Sequence, residues 1–309
     1  MPKYILKRIL ILIPTLIGVS LIVFSLLYLS PGDAALAKAG ANAPEEVIES
    51  VREDMGLNDP FVVQYGRFLK GFFTKFDLGN SYITNASVSK TIMSILPNTL
   101  KLTFFSLLIA IIFGISFGVI AAIKKNTIID SITMLIGLIG LAMPIFWTGI
   151  LLILLFAVKF KILPSSGFSS FKHMILPAIA LGFQSSAVIM RMTRSSMIDV
   201  LDSDYIRTAR AKGLKENKVI IIHTLKNAMI PIITVIGLQM GSLLAGSVLT
   251  ETIFSIPGVG RLIVDSIKTR DYPMVLGSVM FIAAAYSIIS IIVDIIYGFI
   301  DPKVKTQYR

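Results

Sequence analysis

Asp199–Pro231, DVLDSDYIRTARAKGLKENKVIIIHTLKNAMIP, is the most polar passage between two long apolar runs. It sets Asp199, Asp202, Asp204 and Glu216 against Arg207, Arg210, Lys212, Lys215, Lys218 and Lys226. Arg207-Thr208-Ala209, followed four residues on by Gly213, predicts helix, break, helix, because glycine accepts the sharp backbone turn that a break needs. A charged helical hairpin strung between membrane spans presents a surface for another protein to grip. On charge alone, an ordinary solvated loop fits as well.

The flanking runs place the chain in the membrane class. Of 309 residues, 55% are hydrophobic and 15% charged, against about 25% charged in soluble domains. Mean hydropathy is +0.82. Net charge is +11. Basic residues holding loops on the cytoplasmic side explain that excess without any nucleic acid. The absence of cysteine rules out disulfides, Cys metal sites and a Cys nucleophile.

Six apolar runs predict six transmembrane helices: 9–29, 102–123, 132–158, 174–190, 228–250 and 275–293. Lys3, Lys7 and Arg8 precede the first, whose 21 uncharged residues, Ile9–Leu29, match a hydrocarbon core of about 30 Å. Ala35-Leu36-Ala37 resembles a cleavage site, but the run is longer than the 7–15 residues usual for a signal peptide's apolar region. The third run contains Met143-Pro144-Ile145-Phe146-Trp147, and a proline in mid-span predicts a kink or a broken helix. Gly237, Gly241, Ser242, Ala245 and Gly246 give the fifth a small-residue face suited to close helix contact. Asp294 and a basic tail follow the sixth.

Between the first two runs lies one long insertion, Ser30–Lys101. Pro31-Gly32-Asp33 signals a turn, and Pro44–Met55 a short helix with acids in its first turn. In Phe61–Phe76, residues Phe61, Tyr65, Phe68, Leu69, Phe72 and Phe73 share one helical face beside Arg67, Lys70 and Lys75. That face suits a helix lying at the membrane interface or one packed on its own domain. Glu251–Tyr272 reads as a loop.

Lys and Arg orient the chain. Sixteen lie with the termini, the Lys124-Lys125 turn and the hairpin, against six in the short segments of the opposite side. The seven in the long insertion carry little weight. Both termini and the hairpin are therefore expected in the cytoplasm, with 30–101 outside. Catalytic signatures are missing: there is no HExxH, no GxSxG and no Gly-Lys dipeptide, hence no phosphate-binding loop for ATP. His173 and His223 fall on opposite sides of this topology, and no span carries a charge at its centre. The expectation is a pore-forming subunit without a catalytic, metal or cofactor site, driven by a partner. An ATP-independent channel or secondary carrier, a membrane enzyme and a scaffold are the alternative classes for such a chain.

At the hairpin the sequence resembles the permease subunits of ABC importers. Their signature is Glu-Ala-Ala, three residues, Gly, nine residues, Ile-x-Leu-Pro. Here Arg207-Thr208-Ala209 and Gly213 keep the spacing, while His223-Thr224-Leu225-Lys226 replaces the Ile and Pro. The variant DYIRTARAKGL with LKNAMIP is similar to the peptide and nickel branch. So are Arg8, Leu10, Pro14 and Phe24; Gly56-Leu57, Pro60, Gln64-Tyr65 and Asp77-Leu78-Gly79; LTETIFSIPGVGRL; and Arg270–Val275. The resemblance runs nearly the full length and points to the first of two permeases, the one with the long insertion.

It implies an all-α, type I importer fold in a bacterial or archaeal cell membrane. The implied partners are a second homologous permease, two ATPase subunits that bind ATP and Mg, and an extracellular or periplasmic solute-binding protein. The cargo would be di- or oligopeptides, or alternatively nickel or a metal chelate. Tyr205, Arg207, Thr208, Ala209, Gly213 and Leu214 would contact an ATPase. Pro144, Phe146, Glu251, Phe254, Pro257 and Arg261 would line the path or its external gate.

Overall fold

The computed structural model describes residues 2–40, 42–75 and 77–300. The basic tail, Phe76 and the side chains of Lys3, Lys7, Lys75 and Asp294 lie outside the described residues. The described residues form helices joined by turns and loops, with one isolated bridge between Asn80 and Ser87. Its helices are α1 (Pro2–Leu29), α2 (Ala34–Ala39), α3 (Glu45–Asp54), α4 (Phe61–Lys75), α5 (Val88–Ile123), α6 (Ile128–Ala142), α7 (Ile145–Leu152), α8 (Phe171–Leu201), α9 (Asp204–Ala211), α10 (Glu216–Lys218), α11 (Lys226–Ile253), α12 (Val259–Thr269) and α13 (Tyr272–Ile300). π-helical turns extend α7 through Ile153–Lys159 and lead into α11 through Val219–Leu225.

Among the described residues, five helices are long and apolar enough to cross a membrane, and a bent pair makes a sixth candidate. That pair is the 132–158 run. α6 stops at Ala142 because Pro144 lacks an N–H and forces Met143 into extended backbone (ψ 125°). The chain then turns by 106° into α7 and its π extension. Elsewhere helices outrun the apolar stretches. α5 starts at Val88 with Pro97 inside it, and α8 continues through Arg191 and Arg194 to Leu201. A charge ends a hydrophobic run but not a helix, whose hydrogen bonds are local.

The chain divides into two compact units. In the first, Leu100–Phe254 with 289–300, α8 is the central element and glycine lets other helices reach it. A Cβ on Gly182 would sit 2.6 Å from the Ser106 carbonyl oxygen, and one on Gly118 would sit 2.7 Å from that of Met190. Lipid tails are as apolar as leucine, so such close packing does what water exclusion does in a soluble core. Of the expected small-residue face on α11, Gly241 is buried, Gly246 faces Leu181 and Ile145, and Gly237 faces Val293.

The second unit is 2–99 with 255–288. Here α4 lays its aromatic face on α1. Phe24 meets Phe61 edge-on at 5.3 Å, Tyr28 meets Phe61 at 5.2 Å, and the Tyr65 hydroxyl lies 2.9 Å from Ser20 Oγ. The helix is packed on its own unit through those residues, while Val62 and Phe73 stay exposed. Two helices were not evident in the sequence. α2 is capped by Asp33, whose carboxylate accepts from the Ala35 N–H at 2.8 Å. α12 fills the expected 251–272 loop, because Val259, Ile263 and Ser266 recur at helical spacing and are buried.

Candidate functional site

The hairpin is built by a helix stop. α9 ends with Gly213 in the left-handed region (φ +80°). The Gly213 N–H donates to the Arg210 carbonyl at 2.9 Å, and the Leu214 N–H to that of Ala209 at 3.4 Å. These are the two bonds of a Schellman motif, and its usual apolar contact is present. Leu214 packs with Ile206, Ala209 and Val219, against Val200 at the end of α8. Arg210 then clasps Glu216 across the turn, at 3.2 Å from Nε and 2.7 Å from Nη2.

Of the six expected contact residues, Ala209 and Leu214 thus face the hairpin's own interior, and Gly213 makes its turn. Tyr205, Arg207 and Thr208 are exposed. Among the described residues Arg207 makes a long ion pair with Asp204, at 3.7 Å, and its side chain is 74% exposed, open to a partner.

Two ion pairs tie the end of α8 and the start of the hairpin to α6 and the turn before it. Arg194 on α8 forks onto Asp130 in the first turn of α6, at 2.6 Å (Nε to Oδ1) and 2.7 Å (Nη2 to Oδ2). The Asn126 N–H adds a third bond to Asp130 at 3.0 Å. Lys125 reaches Asp202 at 3.1 Å. In sequence Asp130 and Arg194 are two charges flanking apolar runs, 64 positions apart, with no spacing that would pair them.

The expected path residues fall in both units. In the first, Pro144 and Phe146 are exposed at the α6–α7 break, while Glu251 and Phe254 are buried near the end of α11. Phe254 packs against Gly149 of α7, and its carbonyl accepts from the Gly167 N–H at 2.9 Å. Pro257 and Arg261 belong to the second unit. There the Pro257 carbonyl accepts from Asn98 at 2.8 Å, and Arg261 lies 3.3 Å from Asp265.

The second unit also carries an open cleft of about 790 Å³, lined by Phe24, Asp33, Arg52, Arg67, Tyr82 and Tyr272 among others. Burial works to raise the Asp33 pKa, but the Arg52 guanidinium and the Ala35 and Leu36 N–H groups outweigh it and hold the carboxyl below its usual value. Burial raises the Tyr82 phenol. Asp271 accepts from Ser81 Oγ and, at 2.9 Å, from the Tyr82 N–H, which fastens the insertion's last turn. Among the described residues no group of three or more His, Cys, Asp or Glu is placed to hold a metal.

Family models match both halves. The model described as binding-protein-dependent transport system inner membrane component covers residues 114–306, and its N-terminal counterpart covers 1–103. The chain belongs to that family. This permease is 42% identical over 333 aligned positions to a dipeptide transport system permease protein of Alkalihalophilus pseudofirmus, with 99% of the chain and all of the relative covered. It is also 42% identical to the glutathione transport system permease protein of Escherichia coli strain K12, over 99% of each.

Two solved structures share its fold. One is an inward-facing MetNI methionine ABC transporter (TM-score 0.56, 16% identity, 69% of this chain and 97% of that one). The other is an amino acid ABC transporter (TM-score 0.51, 20% identity, 70% and 94%). The permease is therefore an all-helical, multi-pass transport subunit with the fold of ABC importer permeases.

Proposed function

We propose that this permease is one half of the translocation pathway of an ATP-driven importer for di- and oligopeptides. The full-length similarity to permeases named for dipeptide and for glutathione, both short peptides, carries the reading. A second, homologous permease completes the pore. Two ATPase subunits bind ATP and Mg, and a solute-binding protein delivers cargo on the face that carries residues 30–101. Both termini and the hairpin lie in the cytoplasm, as the excess of Lys and Arg there favours.

In this reading the hairpin seats in an ATPase groove. Tyr205, Arg207 and Thr208 supply the outward contacts, while Ala209, Gly213 and Leu214 hold the shape that presents them. A hairpin closed by a Schellman turn and an Arg–Glu clasp is stiff enough to pass on a rigid-body displacement. Nucleotide-driven closure of the ATPases would then move the spans. Pro144 and Phe146 line the path at the helix break, and Glu251, Phe254, Pro257 and Arg261 form the outer gate region.

The test has two parts. The purified solute-binding protein that partners the permease is titrated with di- and tripeptides and with nickel. Then the full complex in vesicles is assayed for uptake with ATP, with and without the ATPase phosphate-loop lysine. Peptide binding and ATP-dependent uptake are expected. Nickel binding without peptide binding would overturn the cargo, and uptake that survives loss of the lysine would overturn the importer.

A further inference from the structure

We propose that Asp130 and Arg194 are a positioning pair that makes α6, and the bent segment after Pro144, move as one body with the hairpin. The proposal rests on the ATP-driven reading above. α8 is unbroken from Phe171 to Leu201, and the hairpin is rooted on its last turn through Val200. Motion delivered at the hairpin therefore reaches α8. It must still pass to α6.

Nearer the middle of α6, the two helices meet through apolar atoms: Gly137 faces the Met190 methyl, and Gly140 faces Ala187 and Phe183. Apolar contacts of this kind allow packed helices to slide. The fork from Arg194 does not, because two parallel bonds to one carboxylate fix direction as well as distance. Asp130 is only 4% exposed and is held by a third bond from the Asn126 N–H. The neighbouring Lys125–Asp202 pair is exposed and contributes little by comparison. Asp130 is buried and Arg194 partly exposed, and well-packed apolar residues commonly stabilise as well as such a pair, so what the fork adds over them is two-point orientation.

The experiment uses the complete importer in vesicles, with solute carried and ATP hydrolysed measured together. Arg194→Lys keeps the charge and loses the fork, and the double variant Asp130→Leu/Arg194→Met replaces the pair with apolar volume. In both, solute carried per ATP is expected to fall about tenfold. A second readout places spin labels at Ile128→Cys, which is 78% exposed, and at exposed Lys212→Cys. With the native pair, the label distance should stay constant between nucleotide-free and ATP-bound states. With Arg194→Lys it should change.

Native solute carried per ATP and an unvarying label distance in the double variant would overturn the proposal. So would a parallel loss of uptake and hydrolysis with unvarying distances, which would mark a merely structural pair. Uptake by the unmodified complex that needs no ATP would instead remove the importer reading, and is distinguishable from either.

Discussion

Gly213 offers the sharpest test of the hairpin, because its cost can be worked from geometry. Its φ is +80°, and a Cβ built there meets nothing within 4 Å. Replacement therefore costs backbone strain and no packing. An L-residue in the left-handed region costs about 1–2 kcal/mol, and asparagine less than most. At 1.4 kcal/mol per tenfold, Gly213→Ala should shift the closed turn towards open by about fivefold to thirtyfold. Gly213→Pro cannot take positive φ, and it also removes the N–H that bonds the Arg210 carbonyl.

The expected order of ATP-driven uptake is Gly, then Asn, then Ala, with Pro inactive. Insertion into the membrane should be unchanged, since the residue is exposed and lies beyond the apolar runs. The assay is uptake into vesicles normalised to inserted protein, alongside capture of the ATPase by the permease. Native uptake by Gly213→Pro, or Ala outperforming Asn, would refute the argument that this turn shapes the docking surface.

Other expectations follow from single contacts. Gly182→Ala puts a methyl 2.6 Å from the Ser106 carbonyl and should destabilise the fold by about 1–3 kcal/mol, seen as earlier thermal loss of monodisperse protein in detergent. Tyr65→Phe removes the hydroxyl that bonds the Ile17 carbonyl at 3.1 Å and should cost about 1 kcal/mol in the same assay. The Asp33 pKa is lower folded than unfolded, so its contribution is fully present above the unfolded value and is lost as pH falls through the folded one. An acid melt of the native protein should show that loss below about pH 4, and Asp33→Asn should flatten it.

Much of the architecture was legible because membrane helices announce themselves by composition. The apolar run 9–29 lies inside α1, and Pro144 marked the break that the structure makes sharp at 106°. Helix ends were less legible. α5 begins fourteen residues before the apolar run at 102, and α12 occupies an expected loop, because amphipathic helices carry no long apolar stretch. At the hairpin, Ala209 and Gly213 stood out by spacing. That Ala209 faces inward with Ile206, Val219 and Leu214, while Arg207 faces out, depends on how α9 packs.

The sequence by itself determined the class of molecule. Its apolar runs require a lipid environment, and it lacks a phosphate-binding loop for ATP. Those properties are sums over segments, and a sum can be read without knowing what touches what. The tertiary structure decided the rest. It brought Arg194 onto Asp130 across 64 residues, and it set α8 against helices that only glycine lets come so near. It turned Asp199–Pro231 from a charged interruption into a closed hairpin with one inner and one outer face. Such pairings depend on distances through space, and linear spacing in the chain does not encode them.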